Sequence, residues 1–456
     1  VSSLWPTPLD PASLGRPSRR AATAAIEAHI AVLRGEPLKA SLATALREAG
    51  GLGGQERRFT ALAVRELSRH QRLLDLAART LGHPPGKLGL TEDQALVRYA
   101  LWRRIFCGEG WSRIGPEVKL PGPVRPRTIK DDLLARVVEE PLPEPPQPET
   151  ATERFAIRYS FPTWLVERLA TLHSEPVLEG LLAALDEEPA LHFRVRPSGT
   201  RAEVLAQLIE EGVAAEPVDL APDALRIADS SHRVFETKVM KTGRLQVQDV
   251  GSQLIAEVCR PPEGSLEGLT VADVCAGAGG KTLALADMVG SSGRVLAGDR
   301  SRRRLAQARE RVRDLSVRNV SFPHPLPLGG VDVLLVDAPC SGTGSLGREP
   351  DQKWKLNPKA ITDFQSTQLE LLEEVGREAR PGALIVYATC SLLPEENDTV
   401  VERFLEKQPG FVLEPVAPVL GAERASVLCD GPYLRPIPPR VPGGGFFAAR
   451  LRKLQG

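Results

Sequence analysis

Downstream of Val247 the chain alternates short apolar strands with helical stretches, a pattern expected of a parallel sheet covered by helices on both faces. The strand-like runs are Thr270 to Val274, Arg294 to Ala297, Val331 to Val336 and Ala383 to Tyr387. They predict a doubly wound, Rossmann-like α/β domain over residues 246–456. In such an open sheet the ligand crevice lies beyond the carboxyl ends of the strands. The residues that follow each run are therefore the ones expected to carry chemistry.

Val271-Ala-Asp-Val-Cys-Ala-Gly-Ala-Gly-Gly-Lys-Thr282 reads as a strand, a glycine-rich turn and the start of a helix. Glycines there let a ligand approach the backbone at the helix N-terminus. A Walker A phosphate loop needs glycine five residues before Gly280-Lys281-Thr282. Cys275 stands in that place, so a nucleoside triphosphate loop is excluded. The next strand ends in Gly298-Asp299, where an acid hydrogen-bonds ribose hydroxyls in doubly wound nucleoside-binding folds. Loop and acid together suit NAD or S-adenosylmethionine equally, and a purely structural tight turn is the bland alternative.

The six cysteines contain no CxxC pair and no histidine at zinc-ligand spacing. They read as free thiols of an intracellular chain, with no metal expected. Cys107, Cys259 and Cys429 read as buried apolar residues. Cys340 and Cys390 differ. One lies in Asp337-Ala-Pro-Cys340-Ser-Gly-Thr-Gly344 and the other in Ala388-Thr389-Cys390-Ser391, each directly after a strand, with Pro394-Glu-Glu-Asn397 following the second. Both are expected at the crevice that the glycine-rich loop lines, where a thiol among polar turn residues is a candidate nucleophile.

Upstream, the chain is long enough for further domains. Residues 19–140 look all-helical. Arg20 to Leu33 is alanine-rich and stopped by Gly35-Glu36-Pro37; Arg57 to Leu81 and Thr91 to Phe106 follow. Pro121, Pro123 and Pro126 break the pattern before a helix around Ile129 to Val138. The run Pro141-Leu-Pro-Glu-Pro-Pro-Gln-Pro148 reads as a stiff linker. Helical stretches at Pro162 to Leu172, Pro176 to Leu185 and Ala202 to Glu211, with a strand at His192 to Arg196, suggest a small α/β unit ending near Arg244. The expected division is 1–140, a linker over 141–152, 153–245 and 246–456.

No apolar run approaches the roughly 20 residues of a membrane-spanning helix. Pro6, Pro8, Pro11 and Pro17 interrupt the N-terminus where a secretory signal would be apolar, so a cytoplasmic location is expected. Formal net charge is zero. Arg300 to Arg318 carries eight arginines, and the tail beyond Gly431 has five basic residues and no acid. Charge alone leaves RNA contact and a solvated surface equally open.

Asp337-Ala-Pro-Cys-Ser-Gly-Thr-Gly344, Ala388-Thr-Cys-Ser391 and Pro394-Glu-Glu-Asn397 resemble the signature motifs of the RsmB/NOP2/Sun family of RNA cytosine-5 methyltransferases. Val247-Gln-Asp-Val-Gly-Ser-Gln253 is similar to that family's opening motif, and Pro350-Asp-Gln-Lys-Trp354 to another of its segments. The upstream layout resembles bacterial members with an all-α, RNA-binding NusB-like domain in front of an RRM-like one.

The resemblance implies S-adenosylmethionine-dependent methylation of cytosine C5 in RNA, with 16S rRNA as the expected substrate and a monomeric enzyme. It implies Cys390 as the nucleophile that adds to C6, Cys340 as the residue assisting loss of the C5 proton, and Asp337 on the cytosine edge near N3. It places Cys275, Ala276, Gly277, Ala278, Gly279, Gly280 and Lys281 around the cofactor, Asp299 on its ribose and Asp337 close by. The target cytosine would be single-stranded or flipped out.

The chain departs from the family pattern at four places. Gly277 and Ala278 replace Ala-Pro, no aspartate lies between Asn319 and Val331 to contact adenine, Arg196 replaces an asparagine, and Gly443-Gly-Gly-Phe-Phe447 lacks an aspartate. The alternatives are a methyltransferase for another RNA, such as transfer RNA, and an RNA-binding assembly factor whose catalytic fold has drifted.

Overall fold

The computed structural model describes residues 5, 17–88, 90–118, 131–146, 148–227, 232–262 and 264–455. The expected break at Pro121, Pro123 and Pro126 and the N-terminal Pro6, Pro8 and Pro11 lie outside them. Among the described residues no helix is long and apolar enough to cross a membrane.

One unit comprises the chain up to Asp186 together with Leu346–Lys355. Its first helix, Arg19–Leu33, starts where the Ser18 side chain accepts from the Ala21 N–H. Five of its six alanines are buried, which lets neighbouring helices pack closely around Tyr99, Trp102 and Phe59. The stretch expected from Arg57 to Leu81 is two helices, Gly54–Arg69 and Gln71–Thr80, meeting at His70. Helices Leu38–Ala49 and Trp111–Val118 were not singled out by periodicity. The unit continues through Thr91–Cys107, Asp131–Glu139, Ala151–Arg158, Thr163–Ala170 and Glu175–Asp186.

The segment Leu346–Lys355 is held in this unit by specific polar contacts. The Trp354 indole N–H donates to Ser68 O at 2.6 Å. Lys353, fully buried, pairs with Asp186 at 2.8 Å and lies 3.8 Å above the Phe161 ring. An unpaired ammonium at that depth would cost several kcal/mol.

The other unit comprises Glu187–Ser345 and Leu356–Gly456. Its smaller sheet is antiparallel, in the order β2-β3-β1-β4, with β1 Leu191–Val195, β2 Ala215–Pro217, β3 Ala224–Ile227 and β4 Leu245–Val247. Helix Arg201–Glu210 begins with a reciprocal cap between Thr200 and Glu203 and buries Val204 and Leu208 against Phe193 and Leu225.

The larger sheet contains β5 Thr270–Asp273, β6 Arg294–Ala297, β7 Val320–Ser321, β8 Val333–Asp337, β9 Leu384–Thr389, β10 Phe411–Glu414, β11 Cys429–Asp430, β12 Tyr433–Leu434 and β13 Phe447–Lys453. Its order is β11-β12-β13-β9-β8-β5-β6-β7, with β10 also on β13. Strands β5 to β9 run parallel. The chain winds outward from β5 to β7, then crosses to begin again at β8. The reversal leaves a crevice where the loops after β5 and β8 diverge.

Strand β13 is antiparallel to β9 and pairs as far as Phe447↔Thr389, carrying β9 two residues beyond the apolar run to the edge of Cys390. The basic tail is largely part of this sheet. Arg450 is buried and bonds Glu414 at 2.9 Å, Arg452 bonds the same carboxylate at 2.7 Å, and Lys453 donates to Ala379 O at 2.7 Å. Cys107 and Cys259 are buried as expected, but Cys429 is half-exposed because it lies on the short edge strand β11.

Candidate active site

The loop after β5 turns through Gly277 at φ +54° and Gly279 at φ +85°, and helix Gly280–Val289 starts directly beyond it. Side chains rarely adopt those angles. A Cβ at Gly277 would also lie 2.6 Å from Arg304 Nη2, so glycine in place of the family's alanine suits this loop. The Gly277 N–H donates to Asp299 Oδ2 at 2.7 Å, and the Ser301 N–H donates to Oδ1 at 2.6 Å. Asp299 thus sits at the end of β6 where a ribose-binding acid belongs, oriented by two amides and retaining a lone pair on each oxygen. Ala276 N–H is taken by Gly298 O at 2.8 Å, and Ala278 O accepts from Arg311 at 3.1 Å. These two alanines shape the loop through their backbones.

Lys281, on the first turn of the helix, pairs with Asp337 Oδ2 at 2.7 Å. Burial alone would depress the ammonium, but the charge and hydrogen bond of Asp337 outweigh it and move its pKa upward. Cys275 is half-buried, and desolvation with the nearby Asp273, Asp337 and Asp299 carboxylates pushes its thiol far up, which makes it a poor nucleophile.

The two cysteines of the strand ends come together. Asp337 and Ala388 are partners in the parallel β8–β9 pair, and Cys340 Sγ lies 3.3 Å from Cys390 Sγ. The hydrogen bond from Cys340 holds Cys390 below the usual thiol range despite its burial, with Ser345 and Lys281 acting in the same direction. The same bond raises Cys340 well above that range, reinforced by desolvation and by Glu396. The two thiols are therefore unequal, Cys390 ionising more readily than Cys340.

Sequence reasoning named Pro394-Glu-Glu-Asn397 as a motif but gave its residues no task. Glu396 is fully buried and accepts from the Ser341 N–H at 2.8 Å, from the Ser341 and Ser391 hydroxyls, and from Gln368 Nε2 at 3.0 Å. Asn397 accepts from Thr389 Oγ1 at 2.6 Å and donates to Ser391 O at 2.9 Å. Polar residues shortly after the second strand-end cysteine, Glu396 and Asn397, were the available signal.

Asp273 was also missed. Its Oδ2 accepts from Thr282 Oγ1 at 2.6 Å, while its buried Oδ1 has no partner. Burial pushes its pKa up to about 7 against the Thr282 hydrogen bond, with Asp337 adding repulsion. The folded state thus holds this proton more tightly than the unfolded chain. The stability associated with Asp273 is full below its unfolded pKa and is lost as pH rises toward 7. Wild-type stability measured against Asp273→Asn by chemical denaturation should fall by on the order of 2–4 kcal/mol between about pH 4 and 7 and then level off. A difference that stays flat across this range would contradict the assignment.

Two departures from the family pattern have structural counterparts. Arg196 bonds Asp287 through Nε at 3.0 Å and Nη2 at 2.7 Å, and Arg194 shares that carboxylate at 2.7 Å. It ties the small sheet to helix Gly280–Val289. In the segment without aspartate, Leu326 faces Gly298, its Cδ2 lying 3.0 Å from where a Cβ would stand.

The site has the features S-adenosylmethionine requires: a carboxylate for the ribose diol, an ammonium beside the loop, an apolar Leu326 near Gly298, and open space around Gly280.

A family model described as 16S rRNA methyltransferase RsmB/F matches residues 264–452, and one described as the RsmF/B-like ferredoxin-like domain matches residues 161–232. The chain is 29% identical over 422 residues to the probable ribosomal RNA small subunit methyltransferase B of Synechocystis sp., covering 88% of this chain and 92% of that protein. It is 31% identical over 318 residues to ribosomal RNA small subunit methyltransferase B of Salmonella heidelberg, covering 67% and 70%. The crystal structure of PH0851 superposes with a TM-score of 0.79 at 23% identity, covering 96% of this chain and 99% of that one, a likeness of fold. With glycine-rich loop, strand-end cysteines and matching relatives in agreement, the chain belongs to the RsmB/F family of 16S rRNA methyltransferases.

Proposed function

We propose that this protein methylates C5 of a cytosine in 16S rRNA, using S-adenosylmethionine and a transient bond between Cys390 and C6 of the base. The observation that carries the reading is the pair of thiols 3.3 Å apart at the ends of adjacent parallel strands, beside the Lys281–Asp337 pair. The curated relatives named as small subunit rRNA methyltransferases supply the choice of RNA.

Cytosine C5 is a weak nucleophile. Addition of the Cys390 thiolate to C6 pushes electron density onto C5 and the N3 side of the ring. Asp337, oriented by Lys281, is assigned to the cytosine edge, where it accepts from the N4 amino group and favours N3 taking a proton from solvent as electron density arrives there. When bound, S-adenosylmethionine supplies an electrophilic methyl group; Lys281, Asp299 and the loop 275–280 would hold it. After C5 is methylated, Cys340, its own proton given up to solvent, takes the C5 proton. The C5–C6 double bond then re-forms and Cys390 departs as thiolate. A stacked base cannot reach two thiols in a crevice, so the target is extruded or single-stranded. The reading includes a NusB-like, RNA-binding region over 1–140, a linker over 141–152, an RRM-like region over 153–245, a catalytic domain from 246, and a monomer acting in the cytoplasm.

Purified protein incubated with labelled cofactor and 16S rRNA from cells lacking the activity should introduce one 5-methylcytosine, located by bisulfite sequencing. Label on another base or another atom would overturn the reading, and label in transfer RNA alone would replace the substrate.

A further inference from the structure

Two chemically identical thiols 3.3 Å apart must be told apart by their surroundings. The surroundings are unequal. Gln368 Nε2 bonds both Pro339 O at 2.9 Å and Glu396 Oε1 at 3.0 Å, and Ser341 binds Glu396 through its N–H and its hydroxyl. Glu396 therefore holds Ser341 directly and reaches Pro339 through Gln368, on the two sides of Cys340. It also accepts from the hydroxyl of Ser391, the residue after Cys390. Gly344 N–H donates to Cys390 O at 2.9 Å, closing the second loop onto the first. The Lys281 ammonium, paired with Asp337, acts on Cys390.

We propose that Glu396 is a positioning residue that fixes the division of labour between the cysteines, clamping both loops and placing a buried negative charge on the Cys340 side. The inference rests on the roles assigned to Cys390 and Cys340 above. All four groups that Glu396 touches are donors, two to each oxygen, a pattern that an ionised carboxylate satisfies completely. A glutamine there removes the charge, and its N–H groups must either face the Ser341 N–H and Gln368 donors or turn the two serine hydroxyls into acceptors. The directions of the thiol pKa values agree: Glu396 pushes Cys340 upward and Lys281 pulls Cys390 downward. Without the carboxylate, Cys340 ionises more readily and the preference for Cys390 erodes.

The test needs neither RNA nor cofactor. The full chain, with Glu396→Gln and Glu396→Asp variants, is alkylated with iodoacetamide between about pH 6 and 9, and each cysteine is followed by peptide mass mapping. In the wild type, Cys390 should react well ahead of Cys340. In E396Q the preference should fall by about tenfold or more, the equivalent of one pKa unit. E396D, which keeps the charge on a shorter arm, should retain the preference. An E396Q protein with the wild-type preference overturns the proposal. Should E396Q fail to unfold cooperatively, E396D decides: preference retained supports the charge, preference lost refutes it. Methyl transfer by Cys390→Ala would instead break the assigned cysteine roles, a result separable from the labelling ratio.

Discussion

Cys340→Ala protein mixed with RNA and S-adenosylmethionine is expected to accumulate a covalent protein–RNA complex that survives denaturing electrophoresis, whereas Cys390→Ala forms none. Adduct formation needs only the Cys390 sulfur, while release needs an acceptor for the C5 proton, and Cys340 is the thiol 3.3 Å away. Overall turnover should fall by at least ~10⁴-fold in Cys390→Ala, because the nucleophile itself is gone. The alanine at 340 has a second consequence. It removes the hydrogen bond that holds Cys390 below the usual thiol range, so burial should push Cys390 upward. The adduct in Cys340→Ala should therefore form faster as pH rises across the neutral range. Equal adduct yields from both variants would remove the assigned roles.

Asp337→Asn should lower methyl transfer by about 10²–10³-fold, the usual effect of losing a preorganised hydrogen-bonding group at the reacting base. Its effect on Cys390 has the opposite sense. Asp337 repels the thiolate and raises the Cys390 pKa, while Lys281 lowers it. Replacing the carboxylate with an amide should leave Cys390 reacting with iodoacetamide at lower pH although catalysis is impaired. This split separates a residue that contacts the base from one that merely activates sulfur. Lys281 loses the partner at 2.7 Å that offsets its burial, so its pKa should fall. A variant with reduced transfer and a Cys390 profile shifted to higher pH would show that Asp337 supports the thiolate instead.

The large parallel sheet was legible because its signals are local. β5 and β6 fall within one residue of the expected runs, since a short apolar run bounded by turn residues needs no distant partner to be recognised. β9 ends two residues later than its apolar run because β13, some sixty residues downstream, supplies its ladder partners up to Thr389. The basic tail misled for the same reason. Arg450 and Arg452 look like a solvent-facing charge run until Glu414 is placed opposite them on β10.

That the glycine-rich loop, Asp299 and the two strand-end cysteines stand at the carboxyl ends of strands was readable from residue order, whereas Lys281 and Asp337 were singled out by the family resemblance. What residue order left open was the protonation of each thiol and the means of holding the pair. Both depend on groups about fifty residues apart approaching within hydrogen-bond distance, as Glu396 does with Ser341 and Cys340 with Cys390. Local chemistry determined the strands and which side chains stand at their carboxyl ends. Only the folded arrangement brought Glu396 onto the residues that follow both cysteines and set the two thiols 3.3 Å apart, where one bond between them moves Cys390 down and Cys340 up.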